Sequence, residues 1–286
     1  MSRTLALCAD DFGQTPAISA GILRLARAGR LNAISCLVNG ASWVSDAPKL
    51  QSLPAAVQIG LHFNLTEGRP LSQRLSQRWP TLPRHAALLL RSQLGLLPRG
   101  LLRGEFHAQL RAFLDATGAS PTYLDGHQHV HALPMIRGLV LDAAEHMRPV
   151  PAVRNTGRIL GPGFAFKRRV IEFCGGRDLA RELVQRELAH NVALMGVYDF
   201  SDTDYRALMQ AWLAQVPPEG ALLFCHPGDT PNGGPPPDAI AAARVRELSY
   251  LESPAFTQDL AQAGVVLGPV WRTPGAPSRA RKSSAG

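Results

Sequence analysis

The chain has 286 residues and 30 Lys and Arg against 22 Asp and Glu, a formal charge of +8, with a sequence pI near 9.9. Residues 69–111 hold eight arginines and one acid, Glu105, and residues 272–286 hold Arg272, Arg279, Arg281 and Lys282 and no acid, so the rest carries −3 and a fold coated with nucleic acid is argued against. Hydrophobic residues make up 45%, which excludes wholesale disorder, and no apolar run approaches the roughly 18–20 residues of a membrane span.

Residues 5–9 read as a buried strand. Thr15-Pro16 supplies an N-cap and a first-turn proline. Ile18, Ile22 and Leu25 come next at helical spacing, and Gly29 closes the helix. Strands are predicted at 33–38 and 57–63, with a short helix over 43–53 between them. Residues 68–104 break this rhythm, being rich in Pro, Gly, Arg and Leu without a strand, and 105–117 is helical again. A strand over 122–124, a helix over 134–146 and a strand over 151–154 come next. Helices over 166–174 and 178–190, a strand over 192–197 and a helix over 202–215 continue the pattern. The chain then gives a strand over 221–225, a helix over 238–251, another opening at Ser253-Pro254 and a strand over 265–267. Residues 1–271 thus form one domain with an insertion at about 72–104, and the basic tail 272–286 is expected to be disordered. Strand–helix alternation favours a closed or nearly closed parallel α/β barrel, with an open doubly wound sheet as the alternative. No G-x-G-x-x-G comes after a predicted strand, which argues against a dinucleotide fold.

The start of the chain does not read as a signal peptide, because Asp10-Asp11 come at once after the short apolar run. Cys8, Cys36, Cys174 and Cys225 lack C-x-x-C spacing and are expected as free thiols, mostly buried, in a reducing, cytoplasmic setting.

In a β/α barrel the active site lies at the C-terminal strand ends. Asp10-Asp11-Phe12-Gly13 stand after strand one, and His62 ends strand three. Asp125, His127, His129 and His131 stand after strand four, Arg154 ends strand five, and His226 comes directly after the strand over 221–225. Two acids at strand one, five histidines and an arginine therefore collect at one rim. His85, His107, His146 and His190 fall in helices or loops and obey no such rule.

A carboxylate with two imidazoles is a common set for Zn²⁺ or a similar divalent ion, leaving positions for water and substrate. The chemistry indicated is metal-assisted hydrolysis, with a second carboxylate taking the water's proton and a distal imidazole protonating a leaving nitrogen. Adjacent Asp10 and Asp11 point to opposite faces of a regular strand, so both can flank one ion only across a bend, for which Gly13 is at hand. Each motif alone has a bland alternative. The acid pair could open a helix, His62 could be a hydrogen-bonded core residue, Cys225-His226-Pro227-Gly228 could be a turn, and Arg154 could sit in a surface ion pair. His127-Gln128-His129-Val130-His131, if extended, places three imidazoles on one face, and a structural metal is its alternative. The coincidence at matching strand ends favours a site.

Ala9-Asp10-Asp11-Phe12-Gly13, Val38-Asn39-Gly40, Gly60-Leu61-His62-Phe63, Leu65-Thr66, Gly68, Pro70-Leu71 and Leu124-Asp125-Gly126-His127-Gln128-His129-Val130-His131 together resemble the YdjC-like carbohydrate deacetylases. That family includes chitooligosaccharide deacetylases and hopanoid-associated glycolipid members. The match is most specific from strand one to His131 and looser to about residue 268. The resemblance implies a single, distorted TIM-like β/α barrel that removes acetyl from an N-acetylated amino sugar. It implies one divalent ion, zinc or magnesium, held by Asp11, His62 and His127. Asp10 would be the general base, His226 the general acid or a transition-state stabiliser, and Arg154 would orient Asp10 or bind substrate. Asp125 would hold a ligand imidazole in its working tautomer, with His129 and His131 behind the ligands or against the sugar.

Residues 72–104 depart from the family, and three roles are open to them: a lid over the sugar, a layer packed on the barrel or, ranked behind these, weak contact with an anionic membrane. A homodimer is the default oligomer. Competing functions are a metal amidohydrolase for another acetylated amine or a cyclic amide, a sugar- or metal-binding barrel without turnover, and a basic adaptor. The last leaves the strand-end cluster unexplained, and Asp10 argues against a mere binder, which needs no base beside Asp11.

Overall fold

The computed structural model describes residues 2–201, 203–230 and 238–275. Nothing of the expected tail disorder is tested beyond residue 275, because 276–286 lie outside the described residues, as does residue 202, the expected start of a helix. The elements are β1 (Arg3–Phe12), α1 (Pro16–Arg27), β2 (Ala33–Cys36), α2 (Trp43–Asp46) and β3 (Gln58–Phe63). Next come α3 (Gln73–Arg78), α4 (His85–Gln93), α5 (Arg99–Thr117), β4 (Tyr123–Gly126), α6 (Ile136–His146) and β5 (Ala152–Val153). After these stand α7 (Ala165–Ile171), α8 (Arg177–Gln185), β6 (Leu194–Met195), α9 (Tyr205–Ala214) and β7 (Ala221–Cys225). The last are α10 (Ala241–Glu252), α11 (Pro254–Gln262) and β8 (Val265–Leu267).

Every strand pairing is parallel, in the order β5-β4-β3-β2-β1-β7-β6, with β8 on the first residues of β1. The result is an open, curled parallel sheet in an α/β fold. The ladder does not close into a full barrel among the described residues. Its end strands, β5 and β6, are two residues long, and isolated bridges from Val153 to His190 and from Ile159 to Leu194 lie between them.

The strands alternate as two-sided burial requires. Leu5, Leu7 and Ala9 of β1, Leu61 and Phe63 of β3, Leu124 of β4 and Leu223 of β7 join the large core under the helices. Ala6, Cys8, Tyr123, Leu222 and Phe224 fill a smaller core inside the curl. Thr15 caps α1 by accepting the Ile18 N–H at 3.3 Å, and the backbones of His190 and Arg272 pair with each other. Cys8, Cys36 and Cys225 are buried free thiols and Cys174 is partly exposed.

The insertion is a packed helical layer. Residues 72–104 contain α3, α4 and the first turns of α5, which begins at Arg99 instead of residue 105. Leu75, Trp79, Leu82, Leu88, Leu97 and Leu102 are buried in the main core.

Candidate functional site

Two neighbouring carboxylates reach one cavity because β1 breaks its alternation at its end. Its register slips between Ala9 and Phe12, and Asp11 has φ 72°, a left-handed conformation that a non-glycine residue adopts at a cost of order 1–3 kcal/mol. The bulge turns Asp10 and Asp11 both toward the inside of the curl and returns Phe12 to the outer core. The expected bend is therefore centred on Asp11 itself. Gly13 stands two residues on at φ 93°, where an added Cβ would stand 3.0 Å from the Leu37 carbonyl.

Asp10 is gripped from below. Arg154 Nη1 and Nη2 donate to its Oδ2 and Oδ1, both at 2.7 Å, and Nη2 lies 2.5 Å from Asp125 Oδ2. The same Nη2 is 3.0 Å from Ser35 Oγ and 3.1 Å from Cys8 Sγ, and Tyr123 closes the group with its hydroxyl 2.9 Å from Ser35 Oγ. Arg154 has no exposed surface and does not line the cavity. The expected orientation of Asp10 is the role its contacts favour, since both guanidinium nitrogens bear on that carboxylate and neither reaches the cavity. Burial pushes the Asp10 carboxyl up, but the Arg154 guanidinium outweighs it and holds the group well below the usual carboxylate range.

Asp11, His62 and His127 form the centre. Asp11 Oδ1 lies 2.9 Å from His127 Nδ1 and 3.5 Å from His62 Nε2, and one donor atom from each residue falls within 4.8 Å of the others. The far side of each is held. Asp125 Oδ1 accepts from His62 Nδ1 at 2.7 Å, Glu67 Oε2 from His127 Nε2 at 2.9 Å, and Arg244 Nη2 donates to Asp11 Oδ2 at 2.7 Å. Burial works against charge on the imidazoles, yet Asp125 and Asp10 hold His62 up at about 10, and Asp11 and Glu67 hold His127 up at about 9. Burial opposes charge on Asp11 as well, and His127 and Arg244 hold it well below the ordinary range. Two nitrogens and one oxygen converge on a point that draws positive charge, each with its outer atom engaged. This donor set fits a divalent cation.

The histidine run is not extended. Gln128 and His129 take left-handed conformations (φ 52° and 61°), so the chain turns instead of presenting three imidazoles on one face. His127 joins the centre and His129 lines the cavity with its edge to Phe224, whereas His131 is fully enclosed and donates from Nε2 to the Arg154 carbonyl at 2.8 Å. His226 faces the same cavity from the end of β7, with Nδ1 buried and without a partner among the described residues. Burial pushes its imidazole down to about 4 despite Asp11 and Asp10 nearby. Its backbone N–H donates to Glu247 Oε2 at 2.5 Å, and Tyr198 donates its hydroxyl to Glu247 Oε1. Glu247 is enclosed, and burial raises its carboxyl to about 7.

The cavity holds about 470 Å³ and is lined by Asp10, Asp11, His62, His127, His129 and His226 with residues from helices and loops. Several of these do not emerge from strand ends. Arg244 comes from α10, a helix for which the sequence offered no site residue. His85 opens α4, Lys167 comes from α7, and Gln14 bridges Glu67 and Arg244 at 2.8 and 3.0 Å. Glu67 alone has a local signal, since it stands between Thr66 and Gly68 within the motif after strand three.

A family model described as YdjC-like protein matches residues 4–262. A carbohydrate deacetylase of Mus musculus is 32% identical over 92% of this chain and 92% of its own length. A chitooligosaccharide deacetylase of Escherichia fergusonii is 32% identical over 94% of this chain and 98% of its own. Among solved structures, a protein of Enterococcus faecalis V583 provisionally assigned to cellobiose-phosphate cleavage superposes with a TM-score of 0.70 at 20% identity, covering 94% of this chain and 98% of that one.

Proposed function

This chain belongs to the YdjC-like family, and from that premise we propose that it is a hydrolase removing the N-acetyl group from an acetylated amino sugar, chitooligosaccharide-like or lipid-linked. The names of the relatives support the reaction class. The observation that carries the reading is the division of labour across the β1 bulge. Asp10 is fixed on Arg154 and Asp11 is joined to two imidazoles, and both face one cavity.

Asp11, His62 and His127 would hold a divalent ion, for which their nitrogen-rich set suits zinc. Such an ion, when bound, polarises an acetamide carbonyl and makes attacking water more acidic. Asp10, ionised and unable to swing because both its oxygens are tied to Arg154, takes the proton of that water. Collapse of the tetrahedral adduct breaks the C–N bond, and the nitrogen leaves with a proton from His226. His226 is neutral at rest, and the proton it delivers to the nitrogen is the one Asp10 took from the water, handed across as negative charge builds on the substrate, so both residues end as they began. Asp125 keeps the His62 ring in the tautomer that presents Nε2 to the centre.

The test is acetate release from N-acetylated chitooligosaccharides by metal-loaded protein, with and without chelator. Asp10→Asn lowers kcat by about 10²–10⁴-fold while metal content stays intact, and Asp11→Asn loses the metal itself. Full activity in metal-free Asp11→Asn protein rules the mechanism out. Acetate release only from non-sugar amines reassigns the substrate.

A further inference from the structure

Two segments flank the cavity mouth and leave it unfinished. The helix α4 opens with His85, a lining residue, and α7 contributes Lys167 and Ile171. The segments meet where Gln93 Nε2 donates to the Cys174 carbonyl at 3.0 Å. Each turns large apolar side chains outward. Leu90, Leu94 and Leu96 stand on or just after α4, Phe166 and Val170 on α7, and Phe173 in the wide turn after it. Phe166 is 82% exposed, and no residue of α7 is buried. The inner side of α7 rests on the smaller core only through the partly buried Ile171, and its outer side has no partner among the described residues.

The charge of this surface has one sign. Residues 84–97 and 165–177 contain Arg84, Arg91, Lys167, Arg168, Arg169 and Arg177 against one acid, Glu172. Glu172 is engaged with the Ile159 N–H at 2.8 Å. Arg177 lies 4.0 Å from the ring of the exposed Phe173, so a cation stands directly beside an exposed aromatic group.

We propose that this rim docks on an anionic lipid surface, with the Leu and Phe side chains entering the interface and the arginines meeting lipid phosphates. Exposed Leu and Phe bordered by Arg is the pattern of an interfacial element that lies on a bilayer without crossing it, and no described helix is long and apolar enough to span one. A second copy of this chain is a poor occupant, because a two-fold contact would set these cations against their own images with no free acid to pair. Docking holds the cavity mouth at the lipid surface. The apolar contact extends beyond the Arg/Leu-rich insertion to α7, about seventy residues further along the chain.

The experiment is co-sedimentation of the full chain with vesicles of phosphatidylcholine alone and of phosphatidylcholine mixed with phosphatidylglycerol, at low and high salt. Binding to the mixed vesicles is expected, weakening with salt and much weaker on the neutral ones. The double variant Phe166→Ser, Phe173→Ser and the double variant Arg91→Glu, Arg169→Glu should each lower the partition coefficient at least about tenfold, with unchanged circular dichroism and melting. None of these four residues is placed in the reaction. Equal binding to both vesicle types, no binding to either, or a concentration-dependent dimer abolished by Phe166→Ser each overturns the proposal.

Discussion

Below the cavity, Arg154 reaches Asp10, Asp125, Ser35 and Cys8 at once, and solvent touches none of its atoms. At the mouth, Phe166 projects 82% exposed from a helix none of whose residues is fully buried. The floor is a closed set of charges in which each member is held by another, so removing one strands the rest. The rim is a set of side chains whose partners lie outside the chain. Stability is therefore concentrated where the site is positioned, and the mouth can be altered with little effect on folding.

Three measurements probe that contrast. The largest effect is expected from Arg154→Met, which leaves Asp10 and Asp125 buried without the guanidinium that pairs with both. Denaturant unfolding should show a loss of about 3–5 kcal/mol, and a variant as stable as the parent would mean the floor is not a charge-locked unit. The next concerns pH. Burial lifts Glu247 from 4.5 in the ordinary state to about 7, so the folded chain resists its ionisation. The stability tied to its neutral form is present below pH 4.5 and is lost as pH rises through about 7. The penalty at high pH is at most about 3 kcal/mol, and Glu247→Gln should flatten that part of the stability–pH curve relative to the parent. The smallest effect is at the rim, where Phe166→Ser should change unfolding free energy by no more than about 0.5 kcal/mol. A larger loss would show that the Phe166 side chain itself is packed within the folded chain.

The legible part of the site is the part set by local order. Apolar runs mark strands, and residues just past a strand's C-terminal end face the site in this architecture, so position alone picks out Asp10, His62, Asp125, His127 and His226. The interior alternation of β1, β3, β4 and β7 is a consequence of the same two-residue period. The adjacent acids and Gly13 imply a bend, but its centre on Asp11 was not legible, because a left-handed aspartate is a strained choice upheld by Arg244 and the imidazoles. Arg244 and Glu247 sit three residues apart on α10, far along the chain from any strand-end motif, yet both are buried and bond Asp11 and the His226 backbone. The histidine run reads as extended because alternation is the simplest pattern for such a run, and its left-handed turn depends on contacts made after the chain has folded.

Short-range periodicity was enough to set the α/β class, the parallel strand–helix rhythm and the strand-end acids and imidazoles, all of which are written in the order of residues along the chain. Packing in three dimensions settled that the sheet stays open between β5 and β6, that α5 begins at Arg99 inside the insertion, and that Arg154 faces Asp10 instead of solvent. It also settled which of the many arginines are locked and which are free. That division depends on which surfaces the fold brings together, and a side chain's charge carries no record of what will be packed against it.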